Sequence, residues 1–388
     1  MGSFFSKGRR ALLGVALALA SLAFALWAAE WGMRRLRPDL LPSSRLHTQP
    51  DARIGWRFQP NQRVQGRSEW GTPLRQRTNA LGFPDGDHAE EAAPGTRRIA
   101  FLGDSFTAAV GVDFDESFVQ VAGRELQRVA PQEKIEVLNF GVPGMGTVRE
   151  LLVWRHVVAF FRPEAVVLAF FLGNDVANNA TGYEETMAAR KEARRRSWFY
   201  RAFLEPSVLY QQFKLAQRDL RRAWRFGRGR RISPEDAGKP FWERSYAPLD
   251  WRGYLRNPEG TVAEAWKITE SAIVTLRDEV EAAKARFVVL LIPGAEAVMP
   301  EEFFKALARH PGIETTEWDP DYPRRRLIDF FASHRIAHVD LTRTFASEVA
   351  EADRRRLYFV FDQHFSPEGH RLAGRAIARA LAGKPGPR

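Results

Sequence analysis

The chain has 388 residues, of which 45% are hydrophobic, so it is long enough for one large domain or two. It contains no cysteine, which excludes disulfide bonds, cysteine-ligated metals and a thiol nucleophile. Its net charge is +11, and this excess is concentrated in a single segment, so it does not identify a partner for the whole chain.

The N-terminus is predicted to be a membrane-spanning helix. Residues 11–29 carry no charge, and a spanning helix needs about 20 apolar residues. Trp27 and Trp31 lie where interfacial aromatic residues are expected. The Ala-x-Ala pattern at 23–25 also suits a cleaved signal, but signal sequences usually have a shorter apolar region, so an uncleaved anchor is favoured. Three basic residues flank each end, so the charges leave the orientation open.

We divide the chain into three regions. Residues 1–37 are a predicted cytoplasmic tail and transmembrane anchor. Residues 38–96 are rich in Pro, Gly, Arg and Gln and are predicted to be a linker that could hold short hairpin strands. Residues 97–388 are the predicted catalytic domain, with a basic insertion at about 176–260 that interrupts its regular pattern.

Short apolar runs alternate with helical patterns in the third region. The runs are typical of strands buried on both faces: RRIAFLG, KIEVLNFG, AVVLAFFLG, RFVVLLIP and AHVDLT. Helical patterns cover 147–161, 261–285 and 323–335. The alternation predicts an α/β domain with a central parallel sheet between two helix layers. In such sheets ligands bind beyond the carboxyl ends of the strands.

Polar and glycine residues follow three of these strands. Gly103-Asp104-Ser105 ends the first, Gly141–Gly144 the second and Gly173-Asn174-Asp175 the third. Taken alone, Ser105 could simply cap a helix, the glycines could form a turn, and Asn174 could form an Asx turn. Together they offer a hydroxyl nucleophile, close backbone N–H groups and an uncharged amide donor.

A serine nucleophile needs a base that is held in place by a third group. The segment DQHFSPEGH supplies Asp362 and His364, two residues apart, whose side chains point the same way in an extended loop. Asp362 could therefore orient His364 directly or through its neighbours. Ser366-Pro367-Glu368 is a typical helix start, and His370 is interpreted as a packing or solvated residue of that helix.

Four segments in order, GDSFT, NFGVPGMGT, LGNDV and DQHFSPEGH, resemble the four sequence blocks of the SGNH (GDSL-type) hydrolases. The resemblance implies a flavodoxin-like three-layer sandwich and acyl-ester chemistry that needs no metal or cofactor. It implies that Ser105 is the nucleophile, His364 the general base and Asp362 its orienting partner. The implied oxyanion hole consists of the Ser105 N–H, the Gly144 N–H and the Asn174 amide, with Gly141 as the alternative to Gly144.

The fourth block departs from the usual D-x-x-H spacing, because Phe361 stands three residues before His364. The D-x-H spacing is similar to that of alginate-acetyltransferase-like SGNH domains. The sequence therefore leaves open whether water or a sugar hydroxyl resolves the acyl-enzyme.

Residues 190–231 contain 14 basic and 3 acidic residues, an excess equal to that of the whole chain. Within them, 198–226 mixes aromatic residues with arginines, which is typical of a helix lying on an anionic membrane. A solvated cover over the active site is an equally good interpretation. No nucleic-acid-binding module accompanies the charge, so nucleic acid is not expected as a partner.

The sequence thus predicts a single-pass, membrane-anchored serine esterase that removes acyl or acetyl groups from envelope carbohydrate or lipid. The resemblance implies the bacterial inner membrane, with the catalytic domain on the periplasmic or extracellular side. One alternative is an O-acetyltransferase that modifies a surface polysaccharide together with a membrane acyl-donor protein. The other is a non-catalytic scaffold or carbohydrate-binding domain.

Overall fold

The computed structural model describes residues 2–36, 46–68, 72–180, 253–308, 315–359 and 363–383, together with residues 207, 209, 210 and 213. The chain forms two compact units. One consists of Met1–Ser43 and Lys191–Arg228, and the other of Ser44–Arg190 and Gly229–Arg388. Most of the basic segment 190–231 and of the insertion 176–260, as well as Asp362, lies outside the described residues.

The first unit is built on α1 (Gly2–Leu36). Its residues Leu13–Leu36 have a mean hydropathy of 1.8 and none of them is buried, so this helix is long and apolar enough to span a membrane. Near its end, Glu30 accepts hydrogen bonds from the Ser207 hydroxyl (2.9 Å) and the Leu209 N–H (3.0 Å). This carboxylate therefore ties part of the basic segment to the helix.

The second unit begins with two hairpins in the region predicted to be a linker. Strands β1 (Thr48–Asp51) and β2 (Gly55–Phe58) pair antiparallel, as do β3 (Arg63–Arg67) and β4 (Pro73–Arg77). Ile54, Trp56 and Phe83 are buried in the same apolar core as the helices on one face of the central sheet. The hairpins are therefore packed onto the α/β domain.

The central sheet has five parallel strands in the order β6-β5-β7-β8-β9, which confirms the predicted parallel α/β architecture. Their bounds are β5 (Thr96–Gly103), β6 (Lys134–Gly141), β7 (Ala165–Phe171), β8 (Arg286–Ile292) and β9 (His338–Asp340). Strand β5, the first of these five in the sequence, lies between β6 and β7. The loops that follow β5, β6 and β7 therefore meet at one edge of the sheet.

The described residues of this unit contain the helices α2 (Phe118–Val129), α3 (Thr147–His156), α4 (Asp175–Asn178), α5 (Gly260–Ala282), α6 (Ala295–Val298), α7 (Pro300–Leu307), α8 (Tyr322–His334), α9 (Leu341–Glu348) and α10 (Pro367–Ala382). Helices α2, α9 and α10 share one core with Ile99 and Phe101. Helices α3, α5 and α8 share the other with Ala100 and Leu102. Because alternate residues of β5 enter opposite cores, the sheet is covered on both faces and the fold has three layers.

Candidate active site

Ser105 follows β5 at the carboxyl end of the sheet, in a series of turns that begins at Asp104. The Ala108 N–H bonds to the Asp104 carbonyl (3.0 Å) and the Val110 N–H to the Ser105 carbonyl (3.2 Å), which fixes the loop. The hydroxyl contacts two side chains, those of His364 and Asp104. Neither contact is with a backbone N–H, so the hydroxyl does not act as a helix cap.

His364 reaches Ser105 from the far end of the chain. The distance from its Nε2 to Ser105 Oγ is 2.8 Å across a separation of 259 residues. A short antiparallel bridge between Tyr358 and Phe365 closes the loop that carries it, and the Phe359 N–H donates to the His364 carbonyl (2.8 Å). The ring is half-buried and lies 5.0 Å from that of Phe106. The imidazole is therefore positioned by packing as well as by its hydrogen bond.

Asp104 provides the second contact of the nucleophile. Its Oδ2 lies 3.2 Å from Ser105 Oγ, and its Oδ1 accepts the Phe106 N–H (2.9 Å). Because a serine hydroxyl has one proton, it can donate to Asp104 or to His364, but not to both. Complete burial raises the pKa of Asp104, although the N–H groups of Phe106 and Ser105 and the charge of His364 oppose this shift. Asp104 therefore takes up a negative charge less readily than a solvent-exposed aspartate does.

The loop after β6 distinguishes the two candidate oxyanion glycines. Gly141 donates its N–H to the side-chain oxygen of Asn139 (2.9 Å), so this N–H is already used. Gly144 has a φ of +76°, and no acceptor for its N–H lies among the described residues. The geometry therefore favours Gly144 over Gly141 as a donor to a bound ligand.

Asn174 lies after β7, at the start of α4, and is half-buried. Its side-chain oxygen is buried and, within the described chain, has no hydrogen-bond partner. The loops that carry Gly144 and Asn174 are neighbours, because the Val148 N–H donates to the side chain of Asn179 (3.1 Å). Within the described chain its Nδ2 makes no hydrogen bond either, and an amide N–H donor without an internal partner at this edge is suited to bind a ligand oxygen.

Two more carboxyl groups are buried beside Asp104. Glu150 of α3 and Asp175 of α4 are both almost inaccessible to solvent. Burial raises the pKa of Glu150 well above its usual value, and the charge of Asp104 adds to this effect. Burial likewise raises the pKa of Asp175, with contributions from Glu150 and Asp104. Ionising one of these carboxyl groups therefore disfavours ionising the others.

The other sequence-predicted residues of the fourth block are placed as follows. Ser366 caps α10 by accepting the Gly369 N–H (3.3 Å), which confirms the predicted helix start. His370 is buried in that helix, where Nδ1 accepts the Phe118 N–H (3.1 Å) and burial lowers its pKa to about 3. It is thus a neutral packing residue. Asp362 is outside the described residues, so its orienting role stays a prediction.

Three residues around the site were not singled out from the sequence. Asp104 stands inside the GDS motif, and Asn139 begins the second block, where its amide also donates to the Thr107 carbonyl (2.8 Å). The only sign of their role in the sequence is that they lie close to Gly103 and Gly141. Trp56 contacts the Gly144 loop from β2, and nothing in its local sequence indicates this contact.

No protein-family model matches the chain, and the comparison with curated proteins gives no match. Solved structures do match. A lipase/acylhydrolase from Enterococcus faecalis is 16% identical, with a TM-score of 0.39 over 75% of this chain and 100% of that one. A catalytic mutant of an acetylxylan esterase from Geobacillus stearothermophilus is 14% identical, with a TM-score of 0.40 over 74% and 95%. A GDSL-like lipase from Bacteroides thetaiotaomicron is 12% identical, with a TM-score of 0.35 over 74% and 87%. The chain is thus similar in structure to GDSL-type lipases and to acetylxylan esterases.

Proposed function

We propose that this chain is a serine esterase that cleaves acyl or acetyl esters of envelope carbohydrate or lipid. The observation that carries the proposal is the 2.8 Å contact between His364 Nε2 and Ser105 Oγ. It joins residues from opposite ends of the catalytic domain at the edge of the sheet where ligands bind. A nucleophile within hydrogen-bond reach of a base is the arrangement that acyl transfer requires.

In the proposed reaction His364 takes the Ser105 proton as Oγ attacks the ester carbonyl. The Ser105 N–H, the Gly144 N–H and the Asn174 amide stabilise the tetrahedral oxyanion. As that intermediate collapses, the imidazolium returns its proton to the departing alcohol and leaves an acyl-Ser105. His364 then deprotonates a water that attacks the acyl group. As this second intermediate collapses, the imidazolium returns the proton to Ser105 Oγ, which releases the acid and the free serine. Asp362 is assigned the role of holding the imidazole.

We further propose that the enzyme is anchored by α1 in the bacterial inner membrane. The supporting observation is the apolar stretch Leu13–Leu36 of the N-terminal helix, in which no residue is buried. The sequence adds a segment with a strong positive charge at 190–231. Such an anchor keeps the enzyme near esters of the envelope. The proposed catalytic side is periplasmic or extracellular.

The test is covalent labelling with a fluorophosphonate together with hydrolysis of a small acetyl ester. The S105A variant should lose both, and H364A should lose hydrolysis by several orders of magnitude. The chain offers a matched control in Ser333, an exposed serine whose Oγ lies 2.9 Å from Nδ1 of His334. S333A should label and hydrolyse like the wild type. Full activity of S105A would overturn the proposal.

The acyl acceptor is tested by product analysis. With water as acceptor the free acid accumulates, and an added sugar does not divert it. If the acetyl group instead appears on the sugar in proportion to sugar concentration, the same Ser105–His364 pair serves an O-acetyltransferase. A chain that retains the contact but neither labels nor turns over would be a scaffold or carbohydrate-binding domain.

A further inference from the structure

The Gly144 N–H belongs to a turn whose shape is defined by its backbone. The Met145 N–H donates to the Val142 carbonyl (3.2 Å), Pro143 occupies the second position, and Gly144 occupies the third with a φ of +76°. These are the features of a type II β-turn. Types I and II differ by a rotation of about 180° of the central peptide, here the one that joins Pro143 to Gly144.

That central peptide carries both the Pro143 carbonyl and the Gly144 N–H. In a trans peptide the two groups point in opposite directions, so fixing the carbonyl also fixes the N–H. The indole N–H of Trp56 donates to the Pro143 carbonyl at 3.0 Å. This bond holds the turn in one of its two orientations. It also polarises the peptide, which makes the Gly144 N–H a stronger donor.

Trp56 is itself held rigidly. Only 5% of its surface is exposed, and the Arg149 guanidinium lies 4.5 Å above its ring. Arg149 in turn donates to the Ile54 carbonyl (2.9 Å). Gly55, with a φ of +88°, leaves the space that this guanidinium fills, since a Cβ there would lie 1.7 Å from its Nη1. The hairpin β1–β2 and helix α3 thus hold the indole against the loop that carries Gly144.

We propose that Trp56 is a positioning residue for the oxyanion hole, acting through the Pro143–Gly144 peptide. This inference rests on the proposed esterase function. It gives the hairpin region before the catalytic domain a role in the reaction. The Gly144 N–H points at the developing oxyanion because an indole donor outside the sheet holds the opposite end of the same peptide.

The test is W56F, which removes the indole N–H but keeps a buried aromatic ring beneath Arg149. We expect kcat to fall by roughly 10- to 100-fold with little change in KM, somewhat less than the 10²–10³ typical for complete loss of an oxyanion donor. The fluorophosphonate labelling rate should fall by a similar factor, because that reaction also places a negative oxygen in the hole.

Trp266 provides the matched control. It is fully buried in α5 and has the Arg326 guanidinium 4.7 Å above its ring, but its indole N–H meets no acceptor within the described chain. W266F should cost stability much as W56F does and leave kcat near the wild-type value. If both variants lose kcat equally at matched stability, Trp56 acts only in packing and the proposal fails.

A second measurement does not depend on catalysis. The chain contains five Pro-Gly pairs, so labelling proline carbonyl carbons with ¹³C and glycine nitrogens with ¹⁵N yields at most five correlations. G144A identifies the one from Pro143–Gly144 by removing it. We expect W56F to shift this correlation selectively and W266F to leave it in place. No shift in W56F would overturn the proposal.

The two measurements separate the two proposals. If the wild type does not label at Ser105 but W56F moves the Pro143–Gly144 signal, the esterase function fails and the control of the peptide by Trp56 stands. If the wild type labels and W56F matches it in kcat and in the signal, the esterase function stands and the role of Trp56 fails.

Discussion

Glu150 is buried with neither carboxyl oxygen hydrogen-bonded within the described residues. An ionised carboxylate in that position would lack both solvent and partners, and its neighbours Asp104 and Asp175 are also acids. The neutral acid avoids this cost. A neutral Glu150 also avoids placing another negative charge next to Asp104 and Asp175.

We therefore expect E150Q to stabilise the protein in a pH-dependent manner. The folded pKa of Glu150 lies well above its unfolded value of 4.5, so below about pH 4.5 both states are protonated and carry no penalty. As pH rises, the unfolded state releases its proton while the folded state retains it, and stability falls. Glutamine does not titrate. Its gain in Tm should be small near pH 4.5 and larger at pH 8.

The comparison is made by thermal unfolding at both pH values. E164Q is the control, because Glu164 is exposed and its side chain makes no hydrogen bond to the described residues. Equal Tm changes for E150Q at the two pH values would show that Glu150 titrates normally.

His88 connects the segment that follows the hairpins to strand β6. Its Nε2 lies 3.2 Å from Asp85 and its Nδ1 2.8 Å from Glu136. Asp85 also accepts the Asn139 N–H (2.7 Å), so the cluster reaches the strand that leads into the Gly144 loop. Arg98 closes the cluster by donating to Glu136 (2.5 Å).

We expect H88Q to be destabilising at pH 6 and nearly neutral at pH 9. Burial alone would lower the pKa of His88, but hydrogen bonds and charges from Asp85 and Glu136 outweigh it and raise the pKa. This stabilisation is complete below the unfolded pKa of about 6.5 and is lost as pH rises through the folded pKa. Thermal unfolding at the two pH values measures it, with H334Q on the exposed face of α8 as control. A larger loss at pH 9 than at pH 6 would contradict this expectation.

The sequence predicted elements where the pattern was strong and local. Strands β5 to β8 were visible as apolar runs because both of their faces are buried. The pattern at 147–161 was predicted as one helix, but α3 ends at His156 and a 3₁₀ turn covers Val158–Phe161, closed by Arg162 with a φ of +46°. The hairpins at 48–77 have only four or five residues per strand, so their periodicity was weak.

The candidate site depends on contacts between distant segments, which no local sequence pattern contains. The proximity of Ser105 and His364 was expected only through the family resemblance and the rule that strand ends meet at one edge of a sheet. The Trp56–Pro143 bond and the Asp104–Ser105 contact depend on three-dimensional packing of distant segments. The reactive side chains could therefore be predicted from the sequence, whereas the contacts that Trp56 and Asp104 make with the site could not.

Membrane topology can be measured directly because the chain has no cysteine. A cysteine introduced by E164C would be the single thiol in the catalytic unit, and one introduced by S3C would precede the apolar stretch. If α1 is an uncleaved anchor with the catalytic unit outside, an impermeant maleimide should label E164C in intact spheroplasts. It should label S3C only after lysis.

The reverse pattern would place the catalytic unit in the cytoplasm, away from envelope esters, and would contradict the proposed location. A mature protein from which the S3C thiol is missing even after lysis would identify a cleaved signal. The flanking charges are balanced, with three basic residues on each side, so the positive-inside rule gives no net preference. Adding two lysines before residue 11 should therefore shift labelling of E164C further toward the outside, whereas adding them after residue 37 should reduce it.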